Sequence, residues 1–235
     1  MNKKKMLALA LAVIMVASLS FGTLAWFNDS DSVTNKFMVA GSEDQNPDDI
    51  FSVDVWEEGP DKDGDGDPDR VPDGLEFENI LPGDKLVKIA NVENTGSYDQ
   101  YIRVTVEISD AIAWQNALGA NFNDDTLIAC FDGYNPDLWR RETSEVDTAT
   151  NVIRITMYYN GGNKENRGIV APDAIINVFE AVNIPASLTQ EQAAAFAGGF
   201  EIKVTADAVQ TENLGVNTED TICDAYEAFV AVGLA

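Results

Sequence analysis

The chain has 235 residues, 40 of them acidic and 15 basic, and it contains no histidine. A formal net charge of −25 repels nucleic acid and anionic lipid, and the missing imidazole excludes the Ser-His-Asp triad, the Cys-His dyad and every His-ligated zinc site. Hydrophobic content of 45% is that of a folded chain rather than a disordered one.

The N-terminus opens with a basic cluster, Lys3, Lys4 and Lys5, followed by apolar and small residues over 6–21, with no charge before Asp29. Thr23-Leu24-Ala25 puts small residues where a signal peptidase reads them, so residues 1–25 are expected to be a signal peptide cut between Ala25 and Trp26. The alternative is an uncleaved membrane anchor, since residues 6–25 reach the length a bilayer needs; Ser18, Ser20, Gly22 and Thr23 weaken its second half. Removing the signal leaves 12 basic residues against 40 acidic ones, a net of −28, which suits an extracellular surface and divalent cations.

The exported chain then starts with Trp26 and Phe27, and Val33, Phe37 and Val39 follow at strand parity. Residues 26–40 form an N-terminal segment that pairs within its own domain or with another chain. Residues 41–235 are expected to be a single β-sandwich domain carrying an acidic insertion at 57–74.

That insertion holds the strongest chemical motif: Asp61-Lys62-Asp63-Gly64-Asp65-Gly66-Asp67-Pro68-Asp69. Carboxylates at alternate positions with a glycine at the sixth wrap oxygens around a hard cation, as in an EF-hand loop, and Ca2+ is the expected ion. Asp61, Asp63 and Asp65 would be the first ligands, Asp67 would offer its backbone carbonyl, and Asp69 would bind directly or through water. Position twelve is Pro72 where a bidentate Glu is expected; Asp73 comes one residue late. A solvated acidic hairpin tip is the plainer alternative.

Six stretches alternate as half-buried strands should: residues 51–56, 85–92, 101–108, 151–159, 175–182 and 200–209. Their inward sets include Val53 and Val55; Ile102, Val104, Val106 and Ile108; and Ile153, Ile155 and Met157. Pro82-Gly83-Asp84, Asn94-Thr95-Gly96 and Asn160-Gly161-Gly162 are turns. The pattern predicts an all-β protein, an antiparallel sandwich of two sheets with a few short peripheral helices. Those helices are expected over 110–118, over 191–197 behind a Ser187–Gln190 capping box, and over 219–232, with Ile222, Tyr226, Phe229 and Val230 as an apolar stripe.

Little else carries chemistry. Glu57-Glu58 and Asp124-Asp125 are adjacent carboxylates, better explained as solvated surface than as a glycosidase pair. Trp56, Trp114 and Trp139 are expected in the core. Cys130 and Cys223 either pair or are two buried thiols.

Two stretches together resemble a known family. One is Gly22-Thr23-Leu24-Ala25-Trp26-Phe27-Asn28-Asp29 with Asn35-Lys36-Phe37. The other is Asn79-Ile80-Leu81-Pro82-Gly83-Asp84-Lys85-Leu86-Val87-Lys88, continuing into Val92-Glu93-Asn94-Thr95-Gly96-Ser97 and Tyr101-Ile102-Arg103-Val104-Thr105-Val106. They are similar to the TasA/CalY (camelysin) family of Gram-positive surface and biofilm-matrix proteins, and Ala208-Val209-Gln210 fits as well. The Asp61–Asp69 insertion departs from that pattern.

The resemblance implies a jelly-roll sandwich, cleavage by a SipW-type signal peptidase, and head-to-tail self-assembly into extracellular fibres at the cell surface or in a biofilm matrix. In such a fibre the freed segment 26–40 acts as donor strand to the next subunit, anchored by Trp26, Phe27, Val33 and Phe37. The competing readings are a monomeric calcium-binding adhesin or binding module, and a secreted metallopeptidase-like hydrolase. The last finds no support in a chain without a His-Glu-x-x-His site, so no enzyme activity is expected.

Overall fold

The computed structural model describes residues 28–32, 35–37, 51–59, 61, 64–66, 68–71, 75, 77, 80–162, 167–196, 199–216 and 223–234. In chain order the elements are β1 (Asn28–Ser32), β2 (Asn35–Phe37), β3 (Val53–Glu58), β4 (Arg70–Val71), β5 (Lys85–Asn94), β6 (Gln100–Ser109), α1 (Ala111–Leu118), α2 (Asp124–Ile128), β7 (Phe131–Asp132), β8 (Trp139–Arg141), β9 (Glu145–Asp147), β10 (Val152–Tyr159), β11 (Ile169–Val170), β12 (Ile175–Asn183), α3 (Gln190–Ala195), β13 (Ile202–Gln210) and α4 (Asp224–Ala231).

Among the described residues, sheet I runs β2-β1-β13-β6-β10-β8, with β11 also on β6 and β9 also on β10; sheet II runs β4-β3-β5-β12-β7. Every pairing is antiparallel. The chain crosses between the sheets from β2 to β3, from β5 to β6, from β6 to β7, from β7 to β8, from β11 to β12 and from β12 to β13, giving the antiparallel two-sheet sandwich that the alternation predicts.

The core is the layer between the two inner faces. Sheet I supplies Ile102, Val104, Val106 and Ile108 from β6, Ile153, Ile155 and Met157 from β10, and Val204, Ala206 and Ala208 from β13. Sheet II supplies Val53, Val55, Ala90 and Val92. Each fully buried branched side chain contributes about 1.5–3 kcal/mol relative to leaving it in water. On β12 the two-residue period breaks: register shifts flank Phe179, and Val178 and Phe179 are both buried in succession. A bulge of this kind re-aims one side chain without ending the strand.

Part of the outer face of sheet I is polar and charge-paired. Arg154 lies directly opposite Glu107, and its Nε donates to Oε1 over 2.7 Å; Arg103 pairs with Asp207 directly opposite on β13. Opposite charges placed across a ladder favour this register.

The helices cover what the sheets leave open. Trp114 of α1 meets Phe196 and Phe200 edge-on at centroid distances of 5.4 and 5.2 Å, closing one end of the sandwich. α4 lies on the outer face of sheet I, burying Ala225, Ala228 and Phe229 against Tyr101, Tyr158 and Val209.

Two helix expectations need correction, and one further helix was not foreseen. The capping box is Thr189 with Gln192, two residues later than Ser187 with Gln190, because Thr189 is the residue whose extended backbone lets its hydroxyl reach the Gln192 N–H. α4 is described from Asp224 onward, with Cys223 as its N-cap; Val230 faces solvent at 50% exposure while Phe229 is fully buried, and Ile222 lies outside the described residues. α2 was not foreseen: its five residues are too few to show a period, but Asn123 and Thr126 cap each other reciprocally.

Candidate functional site

The edge of β13 is the first feature of interest. On one side all nine of its residues pair with β6, from Ile202 opposite Ile108 to Gln210 opposite Gln100. On the other side β1 pairs from Asn28 opposite Val209 to Ser32 opposite Thr205. β2 then folds back on β1, with Phe37 opposite Ser30. The sequence of β1, Asn-Asp-Ser-Asp-Ser, is poor in strand-forming residues, so backbone hydrogen bonding, not side-chain packing preference, explains its place in the sheet.

Within the candidate donor segment 26–40, the described residues form two short antiparallel strands, β1 and β2. Ala25, Trp26, Phe27 and Val33 lie outside the described residues.

The acidic loop is the second feature. β3 and β4 pair through Glu57 opposite Val71 and Glu58 opposite Arg70, and the Gly59 N–H donates to the Asp69 carbonyl over 2.8 Å. The hairpin is thus closed at Asp69, and its tip carries the motif. Asp61 organises that tip: its Oδ1 accepts from the Gly64 N–H at 2.6 Å and its Oδ2 from the Gly66 N–H at 3.1 Å. Gly64 and Gly66 sit at φ of +79° and +100°, where a side chain would be strained. Asp61 and Asp65 are exposed and Asp69 half-buried; Asp63, Asp67 and Asp73 lie outside the described residues. Among the described residues no three His, Cys, Asp or Glu side chains converge on one metal position.

The base of the hairpin is firmly tied. Glu57 and Lys88 form an ion pair on the inner face, with side chains 5% and 8% exposed, and Glu57 Oε2 also accepts the Leu75 N–H at 3.0 Å. Glu58 turns the other way and accepts from Asn91 Nδ2 at 3.1 Å, so strand alternation sends the two adjacent carboxylates to opposite faces. Arg70 lies 4.5 Å over the Trp56 ring and pairs with Glu93.

Asp124 and Asp125 occupy the first turn of α2, where carboxylates meet the helix's free N–H groups. Both pair with Arg141, and Asp124 accepts from the Ser144 hydroxyl. Trp56, Trp114 and Trp139 are all buried.

Cys130 and Cys223 are both buried free thiols, packed in separate clusters. Burial pushes the Cys130 thiol up to about 11 and raises Cys223 as well. Tyr101 is pushed up to about 12 by its own burial and by the neighbouring Asp224 carboxylate, which Arg167 grips with Nε and Nη2 at 2.5 and 2.6 Å.

This architecture defines the chain as an antiparallel all-β sandwich with an N-terminal strand on the edge of its last long strand. No protein-family model matches the chain, and neither curated proteins nor solved structures yield a match.

Proposed function

We propose that this is a secreted structural protein that builds extracellular fibres by exchanging its N-terminal strand between subunits after the signal peptide is cut. The observation that carries the reading is the occupancy of the β13 edge by β1, from Asn28 opposite Val209 to Ser32 opposite Thr205. A ladder held by main-chain hydrogen bonds accepts the same segment from another copy in the same register. The contact is head-to-tail, so it propagates as a filament instead of closing on itself.

The connector supports exchange. Residues 41–49, Gly-Ser-Glu-Asp-Gln-Asn-Pro-Asp-Asp, contain no large apolar side chain whose burial would be lost when β1 leaves its own sandwich. Cleavage between Ala25 and Trp26 by a SipW-type peptidase would be the trigger, because a strand anchored in a membrane cannot reach a neighbour. The likeness to the TasA/CalY family supports a Gram-positive-type cell surface or a biofilm matrix as the setting for such fibres, and the absence of histidine argues against a zinc-peptidase role. The reading is tested by competition. Excess peptide spanning residues 26–40 should cap growing ends and lower the sedimentable fraction of processed chain; sedimentation indifferent to the peptide contradicts strand exchange.

A second reading is favoured by Asp61. Its carboxylate gathers the Gly64 and Gly66 N–H groups, curling the chain as a calcium loop requires. Ca2+ held by Asp61, Asp63, Asp65, Asp67 and Asp69, with Asp73 beyond, would make the protein a calcium-stabilised surface adhesin, with or without fibres.

A further inference from the structure

The turn between β5 and β6 carries an aromatic wall that neither the fibre nor the calcium reading uses. Phe51, just ahead of β3, and Tyr98, in the turn, stack at 5.7 Å between centroids and 29° between planes. The chain around them is locked. The Thr95 and Gly96 N–H groups both donate to the Ser52 carbonyl, at 3.0 and 3.1 Å, and the Thr95 hydroxyl donates to Ser52 Oγ at 2.8 Å. Fully buried Asn94 donates from Nδ2 to the Tyr98 carbonyl at 2.8 Å and accepts the Gly96 N–H on Oδ1 at 2.9 Å. A stacked ring spends one face on its partner and keeps the other, and Tyr98 is 57% exposed.

The two rings line a recess of ≈ 380 Å³, whose other walls include Asp99, Pro172, Gln210 and Glu212. Thr211 Oγ1 donates to the Asp99 carbonyl at 3.5 Å, and Gln210 Nε2 donates to the Glu212 carbonyl at 2.8 Å. These bonds hold the exit of β13 against the turn through main-chain oxygens. The Asp99 and Glu212 carboxylates form no ion pair among the described residues. None of the described residues lining the recess is a lysine or arginine.

This combination selects one class of ligand. An aromatic face is the negative pole of its ring and attracts a cation held over it. Two carboxylates at the same recess add attraction of the same sign and repel anions. A hydrated metal ion would have to exchange its waters for oxygen ligands, and it gains little from an aromatic wall. An alkylated ammonium ion has apolar surface to lay on a ring as well as charge to offer a carboxylate. We propose that this recess binds a small organic ammonium ion, with its alkyl groups on the free face of Tyr98 and its charge beside Asp99 and Glu212. The hydrogen bonds that fix the turn set the wall in place before the ligand arrives, so little ordering is lost on binding. The site does not depend on strand exchange.

The test is a choline titration of the full chain at constant ionic strength, followed by amide NMR, with uncharged 3,3-dimethylbutan-1-ol as the shape-matched control. Choline is expected to bind with a millimolar Kd and to move the amides of 97–99 and 210–213, while the neutral analogue binds about tenfold more weakly. Tyr98→Leu should weaken choline binding by about threefold or more, and Tyr98→Phe, which keeps the ring, should stay within about twofold of wild type. Asp99→Asn with Glu212→Gln should also weaken it by about threefold. The proposal is overturned if choline moves none of these amides or the neutral analogue binds equally well. It is also overturned if Tyr98→Phe loses as much as Tyr98→Leu, or if either the Tyr98→Leu or the double amide variant binds choline as wild type does.

Discussion

Asn28 faces Val209 across the first pair of the β1–β13 ladder, and this pairing fastens the N-terminal strand to the last long strand of the sandwich. Val209 itself is buried in the cluster beneath α4. The N-terminal strand therefore lies along the edge of β13, while α4 packs on the outer face of the same sheet against Tyr101 of β6 and Tyr158 of β10, with Val209 of β13 in the same cluster.

The ladder can be broken without touching the core. Successive residues of a strand direct their N–H groups to opposite sides, so Ser30→Pro with Asp31→Pro removes donors to both β13 and β2. The loss of a few ladder bonds should cost about 1–3 kcal/mol and lower the melting temperature by several degrees. The same variant should abolish sedimentable assemblies. Assembly at wild-type yield would show that β1 does not link subunits.

Glu57 and Lys88 form a buried pair, and removing one partner strands a charge. Lys88→Met should destabilise the protein by about 3–5 kcal/mol, since Glu57 is then buried without its cationic partner. Adding Glu57→Leu should recover most of that loss. Urea unfolding of the two variants checks the order; equal stability of Lys88→Met and wild type contradicts it.

The fold should weaken in alkali. Cys130 is raised from its ordinary 9.0 to about 11, and Tyr101 from 10.0 to about 12, so the folded state favours their neutral forms. Their contribution is complete below pH 9 and is lost as pH rises through the folded values. The urea midpoint should stay level from pH 7 to 9 and fall between 9 and 12, with a shallower fall in Cys130→Ala. Native protein at pH 8 should leave both thiols unlabelled by iodoacetamide, and urea should expose both.

Calcium has a direct readout. At a calcium concentration a hundred times Kd, binding to the folded state alone stabilises by about 2.7 kcal/mol. Asp63→Ala with Asp65→Ala should erase the melting shift by removing ligands. Asp61→Ala should erase it too, by releasing the Gly64 and Gly66 N–H groups as well. A wild-type melting temperature unmoved by calcium contradicts the calcium reading.

The long strands were legible because burial on one face forces alternation: Ile102 to Ile108 on β6 and Ile153 to Met157 on β10 are buried as their spacing predicts. The polar N-terminal hairpin was not, since Asn28 to Ser32 enter the sheet by main-chain pairing, which leaves no side-chain signature. The split of Glu57 and Glu58 to opposite faces follows from the same alternation once β3 is extended to residue 58. The Lys88–Glu57 pairing itself required the strand register, because the two residues are 31 apart in sequence. In the acidic loop, the positive φ of Gly64 and Gly66 matches the turn that their spacing implies. The stacked Phe51–Tyr98 wall was invisible, because it joins the start of β3 to a turn 47 residues later.

The central claim is that the freed N-terminal strand links one subunit to the next, and electron microscopy of the processed chain beginning at Trp26, at high concentration and with and without calcium, tests it most directly. Filaments that disappear when residues 26–32 are deleted are the predicted result. A chain that stays monomeric under all these conditions would contradict the account.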